Sequence, residues 1–196
     1  MASFHNRTPR MRLSSIIVVT LLALTSGLAA ATEPVALLRC NSIYCAGPLY
    51  TYCSERADRD ALLSMPENLL SDEDKRALQA CQRAAELGFP EAQFMEGLRH
   101  SMWAMSVPAR AADEQARAAE LWRVAAEHGH SVAQMMLAQL YVDGKGVPKD
   151  RVEAYKWLKL AEWHKDESEA LQKLKRSMSA EEIQRGDALV QAWQVR

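Results

Sequence analysis

Beyond residue 70 the apolar positions recur with the helical period, and the runs are punctuated by glycine and proline. Ser71-Asp72-Glu73-Asp74 offers a capping hydroxyl followed by acids, which suit the positive end of a helix. This predicts a helix over 75–87, ended by Gly88 as helices commonly are. Pro90 opens the next helix at a position where its missing N–H is no loss. The same order recurs: a helix over 112–128, a stop at Gly129, and a new helix from Ser131. A third pair follows Pro148-Lys149-Asp150. Ser177-Met178-Ser179-Ala180-Glu181-Glu182 then caps a last helix to about Gln194, with Ile183, Leu189, Val190 and Trp193 near one face. No segment alternates convincingly with the period of two that a strand requires, so the fold class is all-α.

The chain before residue 70 reads differently. Arg7, Arg10 and Arg12 precede an apolar run over 16–24, then Thr25-Ser26-Gly27 and the small residues Ala29-Ala30-Ala31. That order of parts is expected of a cleaved secretory signal over 1–31. The competing reading is an uncleaved anchor, but a span needs about 20 predominantly apolar residues, and this stretch is interrupted by serines, threonines and a glycine. Residues 32–70 form a cysteine-bearing arm. Pro34, Gly47 and Pro48, with Tyr44, Tyr50 and Tyr52 among the cysteines, suggest irregular backbone over 32–53. A short helix is expected over 54–65, stopped near Pro66.

Repeats dominate the remainder, residues 71–196. Residues 83–93 match residues 124–134 at an offset of 41, with Ala, Ala, Glu, Gly, Ala and Gln identical. Ala119-Glu120-Leu121-Trp122 matches Ala154-Tyr155-Lys156-Trp157 at an offset of 35, and the first connecting segment carries five additional residues, which brings 41 back to 36. A period near 36, built as helix, glycine stop and second helix, means stacked helical hairpins. Alanine permits close helix approach, and Trp and Leu fill the spaces between pairs.

The segment from Ala133 to Asp150, with its Gly144-Lys145-Gly146-Val147-Pro148-Lys149-Asp150 loop between alanine-rich helices, resembles the Sel-one-like repeats, relatives of the tetratricopeptide repeats. The resemblance covers roughly residues 73–175. It is carried by Ala84, Gly88, Ala92, Trp122, Ala125, Gly129, Ala133, Tyr141, Gly144, Gly146, Pro148 and Trp157. It implies a short α/α solenoid of about two and a half helix-turn-helix repeats, with a C-terminal capping helix and an irregular cysteine-bearing N-terminal arm. The first repeat departs from the pattern: Glu96, Gly97 and His100 stand where the second has Leu137, Ala138 and Tyr141. After Ala161, Trp163-His164-Lys165-Asp166 replaces the usual glycine turn.

Charge and cysteines refine this picture. The 24 basic and 25 acidic residues nearly balance, so no global field draws the chain to nucleic acid. Without the three signal arginines it becomes mildly acidic. Cys40, Cys45, Cys53 and Cys81 all lie beyond the signal, which fits export and suggests two bridges with three connectivities open. Zinc is disfavoured: no C-x2-C pair is present and no histidine lies among the cysteines. At least one bridge must join the arm to the helix bearing Cys81, unless a cysteine stays free.

Candidate chemistry is sparse. There is no Gly-x-Ser-x-Gly elbow, no Ser-x-x-Lys with a supporting Lys-Thr-Gly, no His-Glu-x-x-His and no phosphate-cradling loop. Gly144-Lys145-Gly146 follows a helix and belongs to the repeat turn. His128 and His130 flank a helix end and read as structural, as do Trp122 and Trp157. Met102, Met105, Met135 and Met136 read as adaptable core filler. Trp103, Trp163, Tyr155 and His100 are the candidate partner contacts. Neither a catalytic set, a metal nor a cofactor is expected. The resemblance implies a non-catalytic adaptor or scaffold, periplasmic or secreted, binding an unknown protein or cell-envelope component. The alternatives are an envelope enzyme or enzyme inhibitor, such as a cell-wall-directed hydrolase, and a membrane-tethered interaction module.

Overall fold

The computed structural model describes Leu38 and residues 46–56, 62–63, 65–161 and 168–194. The signal segment, Cys40, Cys45 and Trp163 lie outside them. Every regular element among the described residues is helical: α1 (Ala46–Arg56), α2 (Asp72–Glu86), α3 (Pro90–Ser106), α4 (Ala111–Glu127), α5 (Ser131–Asp143), α6 (Arg151–Ala161), α7 (Glu169–Lys175) and α8 (Ala180–Ala192). Helices α2 and α3, then α4 and α5, then α6 and α7 form three successive hairpins. Helix α1 packs on α2 and α8 on α6, so each end of the stack is covered.

The first two hairpins turn on the same device. Gly129 has a φ of 84°, a region costly for any residue with a Cβ. It lets Gly129 N donate to Ala126 O at 3.0 Å and His130 N to Ala125 O at 3.1 Å, closing the end of α4. Gly88 repeats this at the end of α2. The glutamine common to both repeats, which the sequence pattern marks without explaining, completes the turn. Gln93 Nε2 donates to Ala85 O at 3.3 Å, and Gln134 Nε2 to Ala126 O at 3.0 Å, both buried.

The loop of the second repeat is equally local in its causes. Gly146 has a φ of 71°, and a Cβ there would lie 2.3 Å from Gln115 O, so the loop rests directly on α4. Asp150 Oδ1 accepts from Val152 N at 2.8 Å and Glu153 N at 3.1 Å, starting α6. Ser179 and Glu182 form a reciprocal capping box for α8.

The apolar interior falls into two clusters. One joins α1 and α2 through Leu49, Leu78, Cys53 and Cys81. The other runs through α4 to α7 around Leu137, Leu171, Trp122 and Trp157. Helix α3 serves both: Ala92 belongs to the first, while Phe94 and Leu98 pack against the second.

Three expectations change. The arm is irregular only in part, since residues 46–53 are already helical; Gly47 and Pro48 sit in the first turn of α1, where the absent proline N–H has no partner to lose. The five additional residues do not form a longer loop. Helices α3 and α4 have 17 residues each against 13 and 11 in α5 and α6, and the connection between them shortens to 107–110 against 144–150, so the additional residues and part of the loop are helical. Finally, Met105 and Met135 are not core filler, being 73% and 46% exposed.

Candidate functional site

The departures of the first repeat and the lengthened hairpin meet in one place. Glu96 and Arg99, one turn apart on α3, form a buried ion pair, with Arg99 Nη2 2.8 Å and Nε 3.1 Å from Glu96 Oε2. The Arg99 and Glu96 side chains are only 9% and 8% exposed. The Arg99 guanidinium also lies 4.6 Å from the centre of the Trp103 ring, one turn further along. Next to this pair, His100 Nδ1 is 2.6 Å from Glu114 Oε2. Glu114 belongs to the additional turn of α4, and its other oxygen lies 2.6 Å from Arg110 Nη2.

Glu114 is 1% exposed. Burial pushes its carboxyl upward, but the hydrogen bond from His100 and the charges of His100, Arg110 and Arg117 outweigh it, so the net shift is down. The carboxylate therefore accepts, and the proton between the two groups resides on His100 Nδ1. Burial and bonding together fix the imidazole in orientation and tautomer.

This cluster walls an open cavity of about 450 Å³ between α2, α3 and α4. Its lining is Gln82, Ala85 and Glu86 from α2, Glu96, Arg99 and His100 from α3, and Arg117 and Leu121 from α4. Glu86 is paired with Arg83 at 2.6 Å. A second cavity of about 410 Å³ lies between α5, α6 and α7, lined by Val142, Leu158 and Leu174 among others, with no buried charge in its wall.

The repeat itself supplies the control. The positions of Glu96, Arg99 and His100 correspond to Leu137, Leu140 and Tyr141 on α5. Leu137 and Leu140 are buried core residues. A hairpin of this kind is thus completed by apolar side chains at these positions, and the first hairpin buries charge there instead.

Gly97 answers a separate demand. A Cβ at Gly97 would stand 2.3 Å from Trp122 Nε1. Without it the indole comes close enough to donate to Phe94 O at 3.1 Å. At the corresponding place in the second repeat stands Ala138, and there the Trp157 indole nitrogen is buried with no acceptor among the described residues.

Of the four candidate contacts, His100 and Trp103 come together with the charged cluster. Tyr155 does not: it is 2% exposed, and its hydroxyl donates to Asp187 Oδ1 at 2.7 Å, anchoring α8 on α6. Trp163 lies outside the described residues. His128 and His130 take structural places. His128 Nδ1 donates to Val124 O at 2.8 Å, and His130 Nδ1 accepts from Ala133 N at 3.1 Å as the cap of α5. Trp122 and Trp157 are buried between hairpins. Cys53 and Cys81 form a disulfide tying α1 to α2, and no free cysteine occurs among the described residues. Sequence reasoning missed Arg99, Arg110, Glu114 and Arg117; the five-residue insertion was the signal for the middle two.

The stacked helical hairpins define a helical-repeat protein. Residues 109–130 and 131–162 match the Sel1 repeat, so these two stretches are Sel1-like repeats. Among curated proteins none matches. The structure is similar to that of a protective antigen present in uropathogenic Escherichia coli strains that displays an SLR fold, with 22% identity and a TM-score of 0.55. The likeness covers 89% of this chain and 40% of that one, and at this identity it bears on the fold alone. Glu96, Arg99 and His100 fall outside the two matched repeats.

Proposed function

We propose that this chain is an exported adaptor or scaffold of the bacterial cell envelope, and that it meets its partner at the cavity between α2, α3 and α4. The division into a signal over 1–31, a cysteine-bearing arm over 32–70 and a repeat domain over 71–196 belongs to this reading. One observation carries the placement of the site: a buried ion pair, and an imidazole bonded to the buried Glu114 carboxylate, stand where the sister repeat has leucines and a tyrosine. Burying charge costs more than burying leucine, and the fold has its own example of the apolar solution. The cost therefore points to a use. Trp103 beside the cavity adds the kind of aromatic that anchors partners.

Several facts favour binding over turnover and export over retention. No serine, threonine or cysteine lines the cavity, so it offers no hydroxyl or thiol nucleophile. The Cys53–Cys81 disulfide suits an oxidising compartment. No helix among the described residues is long and apolar enough to cross a membrane. The imidazole held by buried Glu114 keeps an envelope hydrolase as the second reading, since such a pair is a general-base arrangement.

The test is site-specific cross-linking of the full chain expressed in bacteria. A photoreactive residue replaces exposed Glu86 at the cavity, and a control replaces exposed Glu169 on α7. The expected outcome is a periplasmic or secreted product lacking residues 1–31, with a discrete cross-linked protein from position 86 alone. Cytoplasmic retention with Met1 intact, or equal cross-linking from both positions, overturns the reading.

A further inference from the structure

We infer that the cavity between α2, α3 and α4 recognises a carboxylate, presented by a side chain or chain end of the bound protein. This rests on the reading of the cavity as the partner site and names the chemistry that site would take.

Charge bookkeeping around the cavity gives the sign. Glu86, Glu96 and Glu114 each already have an arginine: Arg83, Arg99 and Arg110 respectively. Arg117, exposed on α4, lines the same cavity without an ion pair of its own among the described residues. The cavity is therefore left with one surplus guanidinium, not a surplus acid.

The donor geometry gives the shape. Arg99 spends Nε and Nη2 on one oxygen of Glu96. Its Nη1 makes none of these bonds, although the side chain is nine-tenths buried and lines the cavity. Glu96 and the Trp103 ring hold that guanidinium in place, so it offers a donor at little further cost in side-chain entropy. Two guanidiniums on neighbouring helices, one held and one free to close, suit a planar anion with two acceptor oxygens. A volume of about 450 Å³ admits a side chain or a chain end but not a folded surface. A basic ligand would find each of these carboxylates already paired with an arginine.

The probes are three small molecules titrated at low ionic strength into the full mature chain. N-acetyl-glutamate amidated at its α-carboxyl carries only a side-chain carboxylate. N-acetyl-alanine carries only a chain-end carboxylate, and N-acetyl-glutamine amide carries neither. The readouts are the NMR resonances of the Arg99 and Arg117 side-chain N–H groups and the Trp103 indole. At least one carboxylate probe should shift all three saturably, the better one identifying the source, while the neutral amide leaves them unmoved. Arg117→Ala should weaken that binding at least about tenfold, the loss expected of one charge-assisted hydrogen bond. Arg117→Lys should fall between, keeping the charge but losing the fork. Equal response to the neutral amide, no saturable shift, or unchanged affinity in Arg117→Ala overturns the inference. Cross-linking from position 86 separates the two failures. If it persists without carboxylate binding, only the carboxylate assignment falls; if it is absent too, the partner site falls with it.

Discussion

At the scale of single residues, His130 shows how a side chain becomes tied to one protonation state. Its Nδ1 caps α5 by accepting from Ala133 N, and its ring stacks on Phe94 at 4.6 Å. Only an unprotonated Nδ1 can accept. Burial, outweighing the nearby charge of Glu91, also holds the imidazole below its ordinary value. The unfolded chain therefore takes up a proton near pH 6.5 that the folded chain resists. The contribution is whole above that pH and is lost as pH falls through it. Urea unfolding at pH 7.5 and 5.5 should show a loss on the order of 1 kcal/mol in the wild type that His130→Asn lacks, since asparagine caps without titrating. Equal pH dependence in the two proteins would remove His130 from the account. Glu114 titrates in a separate, lower window: its depressed carboxyl contributes above the ordinary carboxylate range and loses that contribution on acidification through it. The sequence placed His130 at a helix end, and so made its structural role legible. Its stacking partner lies 36 positions back, across a hairpin, where no local pattern reaches.

At the scale of elements, α3 is a repeat helix in which a charged face has replaced an apolar one. The sister helix α5 shows what restoration would look like: leucine at both Glu96 and Arg99. Replacing a well-buried ion pair by apolar side chains is often neutral or stabilising, while removing one partner strands a buried charge. Glu96→Leu alone should therefore lose roughly 3 kcal/mol. Adding Arg99→Leu should return the protein to within about 1 kcal/mol of the wild type or above it. Chemical denaturation of both variants measures this directly. A double variant less stable than the single one would mean that the pair holds the fold and is not an addition to it. The hairpins, turns and alanine contacts were legible because the chain states them twice, at an offset of 41. The charged cluster was not, because its parts appear as separate irregularities. Glu96 and His100 are departures from the repeat, and Glu114 lies within the inserted stretch. Only the added turn of α4 brings Glu114 over His100, so the insertion had to be read as helix before the pair could be foreseen.

At the scale of the molecule, a short stack has two open ends, and each hairpin interacts mainly with its neighbours. The C-terminal end is closed by α8, held through Tyr155 and Asp187. The N-terminal end is closed by α1, which buries Leu49 fully and places Cys53 against Cys81, 28 positions away. A bridge over a loop of that length constrains the unfolded chain by roughly 3 to 4 kcal/mol on the chain-entropy model. Its loss should not spread evenly. Helices α1 and α2 form a cluster distinct from the one around Trp122 and Trp157, and α3 connects them. In the Cys53→Ser, Cys81→Ser double variant, hydrogen exchange should accelerate first in α1, then in α2, while α4 to α6 keep most of their protection. Cavity binding should weaken with α2, since Gln82 and Glu86 form one wall. Uniform acceleration along the whole chain would show instead that the stack unfolds as one cooperative unit. Slow exchange in α1 of the variant would show that packing at Leu49 holds the end closed without the bridge. The predicted gradient makes the disulfide a condition of the α2 wall of the cavity, so an oxidising environment would favour the state in which the cavity is formed.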